Sequence, residues 1–238
     1  MTATTLQKEL RGLADSEKKI GLQRFFKTGK GQYAEGDIFI GVMVPQIRAL
    51  AKKYSSLALP EVVKLVHSKF HEERLLGLII WTLQFKDALK LNDRQKQKVI
   101  YSHYLKNRKN INNWDLVDVT TPGIVGEYCF RNRAEEKTLR RLVRSKSLWE
   151  RRIAVLATFT YIREEEFALT SEFAETLLND SEDLIHKATG WMLREAGKRN
   201  QAFLVKFLER NCTKMPRTML RYAIEKFPES VRKSYLNR

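Results

Sequence analysis

Three tryptophans each stand within about one helical turn of a charged residue: Trp114 with Asp118, Trp149 with Arg152, and Trp191 with Arg194. They lie on successive segments of a 238-residue chain whose formal net charge is +16. An indole offers an electron-rich face to a cation, a carboxylate offsets positive charge that develops in a reaction, and a guanidinium grips phosphate oxygens through a planar fork. That set of residue types suits a protein that holds a polyanion and acts on a cationic centre within it, which points to nucleic acid.

The stretch Asn112-Asn113-Trp114-Asp115-Leu116-Val117-Asp118 carries the sharpest signal. Trp114 and Asp118 are spaced i, i+4 and share one face of a helix. Asp115 falls in the first turn after an asparagine cap, where a carboxylate stabilises the helix dipole, so it reads as structural. Asp118 lies a turn further in, without a capping role, and is the candidate for chemistry.

Positive charge is concentrated between 131 and 152, where Arg131, Arg133, Lys137, Arg140, Arg141, Arg144, Lys146, Arg151 and Arg152 face only Glu135, Glu136 and Glu150. Such a run is ordinarily a solvated face. Beside the tryptophans it reads as a surface for a phosphate backbone, with salt-dependent affinity and little readout of bases.

The elements that must position these residues are helical almost throughout, because apolar residues recur at helical spacing and alternating strand patterns are few. The spacing predicts helices near 5–14, 16–28, 45–54, 60–68, 71–87, 93–106, 113–129, 134–145, 147–161, 165–178, 182–198, 201–210, 214–226 and 228–236. Pro45 and Pro60 open apolar stretches where a missing N–H costs nothing, and Asn92-Asp93, Asn112-Asn113, Ser181 and Thr213 are N-cap candidates. The fold class expected is all-α.

A basic residue opens several of the apolar stretches: Arg74-Leu-Leu-Gly-Leu, Arg152-Ile-Ala-Val-Leu, Lys187-Ala-Thr-Gly-Trp and Arg221-Tyr-Ala-Ile. Their separations of 78, 35 and 34 residues give helix pairs at a period of about 35 to 39, near the range of HEAT-type repeats, with the Trp114 segment filling the longer gap. Stacked helix pairs form a curved α-solenoid in which one helix of each pair lines a concave face. The expectation is a single HEAT-like-repeat domain over 1–238 whose concave face is basic.

On the helix expected at 182–198, Ile185, Ala188, Thr189, Met192 and Ala196 fall on one side at 100° per residue. Leu184, Lys187, Trp191, Arg194 and Lys198 fall on the other, a surface suited to phosphate and sugar; the alternative is that Trp191 packs on a neighbouring repeat. In the helix from 147, Arg152 sits instead among Trp149, Val155, Leu156 and Phe159, so its guanidinium needs a partner. Asp118 and a bound phosphate both fit that need.

Other chemistries find no support. Cys129 and Cys212 form no metal or disulfide framework, and His67, His71, His103 and His186 form no metal-binding pattern and read as ordinary surface or core residues. No metal or cofactor is expected. Gly29-Lys30-Gly31-Gln32-Tyr33-Ala34 matches a loose dinucleotide pattern, but no strand precedes it and no Lys-Ser/Thr closes it, so its glycines read as turn residues before Pro45. The longest apolar run, Leu75 to Leu83, is about half of the ~20 residues that a spanning helix needs, and MTATTLQKEL lacks a secretory pattern. A monomer in the reducing cytoplasm, with no membrane contact, is expected.

The segments GDIFIGVMVPQIRALAKKY at 36–54, NNWDLVD at 112–118, LWERRIAVL at 148–156 and KATGWMLREAGK at 187–198 resemble, in order, those of the AlkD-like DNA alkylation repair family, HEAT-like-repeat DNA glycosylases. The resemblance implies hydrolytic excision of cationic N3- or N7-alkylated purines from double-stranded DNA without a base-flipping pocket. It makes Asp118 the catalytic aspartate and Trp114 and Trp191 the tryptophans that contact the lesion's deoxyribose. Arg152 and Arg194 match basic residues near the site, and Lys187, Arg48 and Trp149 join them as DNA-binding candidates. The sequence departs from the family in carrying Asn113 before the motif tryptophan, and in placing Phe25, Phe26, Met43 and Val44 where polar or hydroxylated side chains occur in active relatives.

A purinium is already a good leaving group, so the implied reaction needs no general acid. The sugar gains oxocarbenium character as the bond breaks, and a carboxylate with aromatic faces stabilises that cation. The alternatives are a non-catalytic HEAT-like module for unusual DNA or RNA structures, which does not need Asp118, and a scaffold for an acidic protein, which would bury Trp114 and Trp191.

Overall fold

Helices form near most of the ranges that the apolar spacing sets, and the computed structural model, which describes residues 1–238, contains no β-strand. Asp15 accepts from the N–H groups of Glu17 and Lys18 at 3.0 Å, and Asp93 from that of Lys96 at 2.9 Å, so each supplies acceptors that the first turn lacks. Pro45 and Pro60 occupy the first turns of their helices as expected. Ser181 and Thr213 do not cap: the helices after them begin at Asp183 and Arg217, the second directly behind Pro216, whose ring cannot extend a preceding helix.

The chain divides into two compact units, Met1–Ile124 and Val125–Arg238. The first comprises α1 (Ala3–Arg11), α2 (Ser16–Phe25), α3 (Val44–Lys53), α4 (Leu59–Val66), α5 (His71–Lys90), α6 (Arg94–Lys106) and α7 (Trp114–Thr121). Its centre is α5, buried on every side from His71 to Trp81 and packed by α3, α4, α6 and α7. The connection from α2 to α3 contains no helix. It crosses α5 through one parallel bridge, Ile38 to Phe70, where the N–H of His71 donates to the Ile38 carbonyl at 2.9 Å. Gly41 in this connection has φ 89°, and a Cβ there would lie 2.0 Å from the Asp15 carbonyl oxygen, so the sequence admits only glycine.

The second unit comprises α8 (Glu127–Arg131), α9 (Glu136–Leu142), α10 (Leu148–Arg163), α11 (Ala168–Thr176), α12 (Asp183–Arg199), α13 (Gln201–Asn211), α14 (Arg217–Ala223) and α15 (Glu229–Leu236). Here α10 packs on α12 and α12 on α14, with α9, α11 and α13 alongside. These are the helices that carry Arg152, Lys187 and Arg221, so the repeat register read from those residues selects the packed succession α10, α12, α14. The approach of α14 to α12 depends on Gly190, where a Cβ would meet the Met219 carbonyl oxygen at 2.5 Å.

The single helix expected over 113–129 is interrupted. Pro122 cannot donate to the carbonyl of Asp118 one turn back, and residues 122–126 widen into a π-turn before α8 begins.

Candidate nucleic-acid interface

In the first unit, Trp114 and Asp118 stand one turn apart on α7, both half-buried. Asn113 caps that helix and accepts from the N–H of Trp114 at 2.8 Å. The indole is fixed in two further ways. Its Nε1–H donates to the Tyr33 hydroxyl at 3.2 Å, and one face is stacked on Phe26, with centroids 5.1 Å apart and planes at 19°. Phe25 meets it edge-on at 5.9 Å and is itself 63% exposed. Phe26 leaves the indole no more than one face for a ligand, and that face is held in a set orientation.

Asp118 places negative charge near the Tyr104 hydroxyl, which hydrogen-bonds to Thr120 at 3.0 Å and Thr121 at 2.7 Å. Burial pushes that phenol up to about 12, and the Asp118 charge adds to the shift. Tyr104 is therefore a neutral hydroxyl under α7.

Asp115 has the structural role expected of it, but with another partner. Its Oδ1 accepts from the Leu116 N–H at 2.8 Å, and its Oδ2 lies 2.8 Å from Nε2 of His71. The other ring nitrogen of His71 lies 2.9 Å from Asp37, which also receives Arg74 at 2.5 Å and the Asn113 side-chain amide at 3.2 Å. His71 is thus not an ordinary core histidine. Burial opposes its charge, but the hydrogen bonds to Asp115 and Asp37 prevail and raise its pKa to about 9. Burial likewise pushes Asp37 up, and His71 and Arg74 outweigh it and bring the carboxyl down to about 2. Two carboxylates and two cations thus offset one another in a buried site. Beside them, Leu22, Phe26, Phe39, Met43, Val44 and Ile47 wall a small apolar cavity of about 40 Å³. Arg48 is exposed on α3.

In the second unit the two sides expected for α12 are as drawn: Ile185, Ala188, Thr189, Met192 and Ala196 are buried, while Leu184, Lys187, Trp191 and Arg194 are half-buried and Lys198 is exposed. Trp191 lies 6.3 Å from Phe159 of α10, and its Nε1–H donates to Glu195 at 3.1 Å. Glu195 also accepts from Lys198 at 2.7 Å and lies 3.4 Å from Arg194, whose other terminal nitrogen pairs with Glu225. Lys187 pairs with Asp183 at 2.8 Å, and this hydrogen bond holds the Asp183 carboxyl below its usual range. Arg152, 5% exposed, donates to the Leu184 carbonyl at 2.5 Å, tying α10 to α12. Trp149 is half-buried in the first turn of α10.

The basic run is less available than its composition suggests. Arg133 pairs with Glu166 at 2.6 Å, Arg140 with Glu172 at 3.0 Å, Arg151 with Asp180 at 2.6 Å and Arg131 with Glu127 at 3.4 Å. Four of its nine cations therefore pair with carboxylates within the second unit, Arg151 and Asp180 largely buried as they do so, and Arg152 makes a fifth tie through the Leu184 carbonyl. Sequence reasoning gave no role to Tyr33 or Glu195, read His71 as ordinary, and named Phe26 only as a departure from the family. Only Glu195, at i+4 from Trp191, was open to discovery from spacing.

The DNA alkylation repair enzyme family model matches residues 6–227. Among solved structures, a predicted DNA alkylation repair enzyme from Enterococcus faecalis is similar with a TM-score of 0.70 and 14% identity, covering 91% of this chain and 97% of that one. AlkD2 from Streptococcus mutans is similar with a TM-score of 0.54 and 16% identity, covering 95% and 97%. At these identities the likeness is one of fold. No curated protein sequence matches the chain.

Proposed function

The chain belongs to the DNA alkylation repair enzyme family, and from that premise we propose that it is a DNA glycosylase that excises cationic N3- or N7-alkylated purines from duplex DNA. The observation that carries the reading is on α7: a carboxylate, Asp118, one turn from an indole whose orientation is set by both a hydrogen bond and a stacked ring. Such a pair is matched to a sugar that becomes cationic.

In this reaction the C1′–N bond breaks and its electron pair moves into the purine ring, cancelling the ring's positive charge. Water adds to C1′ and releases a proton, leaving an abasic site and a neutral alkylpurine. Asp118 stabilises the oxocarbenium-like sugar and orients the water, and Trp114 adds attraction from its π-face. Within the second unit, Trp191 offers a further ring for sugar contact, Arg194 and Lys187 are cations for the DNA backbone, and Arg152, proposed beside them from the resemblance, is held on the Leu184 carbonyl. Trp149 and Arg48 extend that backbone contact. The substrate charge supplies the leaving group, so the reading needs no general acid, base pocket, metal or cofactor. The protein acts as a monomer in the cytoplasm.

The test is release of 7-methylguanine and 3-methyladenine from methylated duplex DNA by wild type beside Asp118→Asn. Release by wild type and loss in the variant, with DNA binding retained or tightened, is the expected result. Release by both sinks the role of Asp118; release by neither, with binding intact, leaves a non-catalytic DNA-binding module. Phe25 and Phe26 packed against Trp114 favour that second reading, because they occupy indole surface that a deoxyribose would use.

A further inference from the structure

Trp114 is flanked by two residues that are fastened to the same buried pair. On one side Asn113 donates its side-chain amide to Asp37 at 3.2 Å; on the other Asp115 lies 2.8 Å from His71; and Asp37 and His71 are joined at 2.9 Å. A closed circuit therefore holds the backbone on both sides of the tryptophan. A second linkage reaches the ring itself. His71 is stacked on Phe39 at 4.3 Å and 21°, Phe39 on Phe26 at 4.9 Å and 22°, and Phe26 on Trp114 at 5.1 Å and 19°. His71 also lies 5.2 Å from Phe26 at a tilt of 41°, so the histidine, Phe39 and Phe26 form one ring cluster, and Phe26 joins that cluster to the indole.

We propose that His71 is the positioning residue for Trp114, acting through Asp37 and Asp115 on the backbone and through Phe39 and Phe26 on the ring. The arrangement exceeds what helix capping requires, because Asn113 alone already accepts the first N–H of α7. A histidine in contact with two carboxylates donates from both nitrogens, and only that doubly protonated form serves Asp37 and Asp115 together. Its charge also strengthens the stack at the Phe39 end. The effect is to remove freedom from a side chain whose function depends on its angle. The geometric claim stands by itself; its consequence for catalysis rests on the glycosylase reading above.

The experiment uses the full chain labelled with ¹⁵N and reads the indole N–H signals, with that of Trp114 assigned by its loss in Trp114→Phe. In His71→Gln the Trp114 signal is expected to move and to exchange with solvent about tenfold faster or more, while the signals of Trp81, Trp149 and Trp191 stay in place. A folded variant with an unmoved Trp114 signal overturns the proposal. Where His71→Gln does not fold, Asp115→Asn is read in the same way, because it keeps the side-chain volume and the bond to Leu116. Met219→Ala, a core truncation in the second unit, controls for general destabilisation and leaves the Trp114 signal unmoved.

Base release from methylated duplex DNA is measured on the same samples. A fall of about tenfold or more in kcat, with duplex affinity within about threefold, extends the role to chemistry. A displaced Trp114 with unchanged kcat removes that extension, and a wild type that releases no base refutes the glycosylase reading while the indole result still decides the geometry.

Discussion

Nε2 of His71 lies 2.8 Å from Oδ2 of Asp115, which places an imidazolium next to the residue that follows Trp114 in sequence. The contact makes stability depend on pH at both extremes. Because the folded pKa of His71 is raised to about 9, its contribution is complete below the ordinary value of 6.5 and is lost as pH rises through about 9. Asp37, lowered from 3.8 to about 2, contributes above 3.8 and loses its share as pH falls toward 2. Thermal melts across pH 5 to 10 are expected to fall on the alkaline side by an amount on the order of 3 kcal/mol at most, and His71→Gln should flatten that limb. An alkaline limb unchanged by the substitution would assign it to other groups.

Glu72, the residue after His71, holds the connection that carries Gly41. Its buried carboxylate accepts the backbone N–H groups of Ile40 at 3.0 Å, Gly41 at 2.8 Å and Val42 at 3.3 Å. Glu72→Gln keeps the volume but replaces a charged acceptor with a neutral amide that also brings donors into the site. A loss of about 2–3 kcal/mol in urea unfolding is expected, and a loss below about 0.5 kcal/mol would mean that the loop is held by its apolar contacts instead.

Arg194 is engaged by Glu225 before any DNA arrives. If this arginine contacts phosphate, Glu225 competes with the ligand, and Glu225→Gln should tighten duplex binding severalfold. The dependence of log affinity on log salt should also steepen by up to about one unit, reflecting one more cation free to neutralise a phosphate. Weaker binding would show that the pair instead aligns Arg194 for its contact.

The Tyr33 hydroxyl accepts from Trp114 across a half-buried contact, so Tyr33→Phe should cost about 1 kcal/mol of stability or less. Because the Phe26 stack remains, base release should fall less in this variant than in His71→Gln. The reverse order would make the hydrogen bond, not the stack, the dominant restraint on the indole.

Local periodicity made much of this molecule readable before its fold. Trp114 and Asp118 at i, i+4 had to share a face once the segment was helical, and the two sides of α12 followed from 100° per residue. The break at Pro122 was also available from chemistry, since a proline there removes the bond to the Asp118 carbonyl. The caps were legible where a side chain acts on its own first turn, as Asp93 does. Ser181 and Thr213 failed because each lies at least two residues before its helix starts.

What the chain determined by itself, then, is an all-helical fold in a repeated register, with a basic balance of charge and the carboxylate and indoles on defined helix faces. These are properties of neighbours within a turn or of total composition. Apart from pairs within one helical turn, such as Arg131 with Glu127 and Lys187 with Asp183, tertiary structure decided which charges are spent internally. Arg133, Arg140 and Arg151 find Glu166, Glu172 and Asp180 across separations of 33, 32 and 29 residues, and His71 becomes a buried cation because Asp37 and Asp115 approach from 34 and 44 residues away. The physical reason is that the charge state and availability of a group depend on the carboxylates and burial around it, and packing supplies both from parts of the chain that no local period connects.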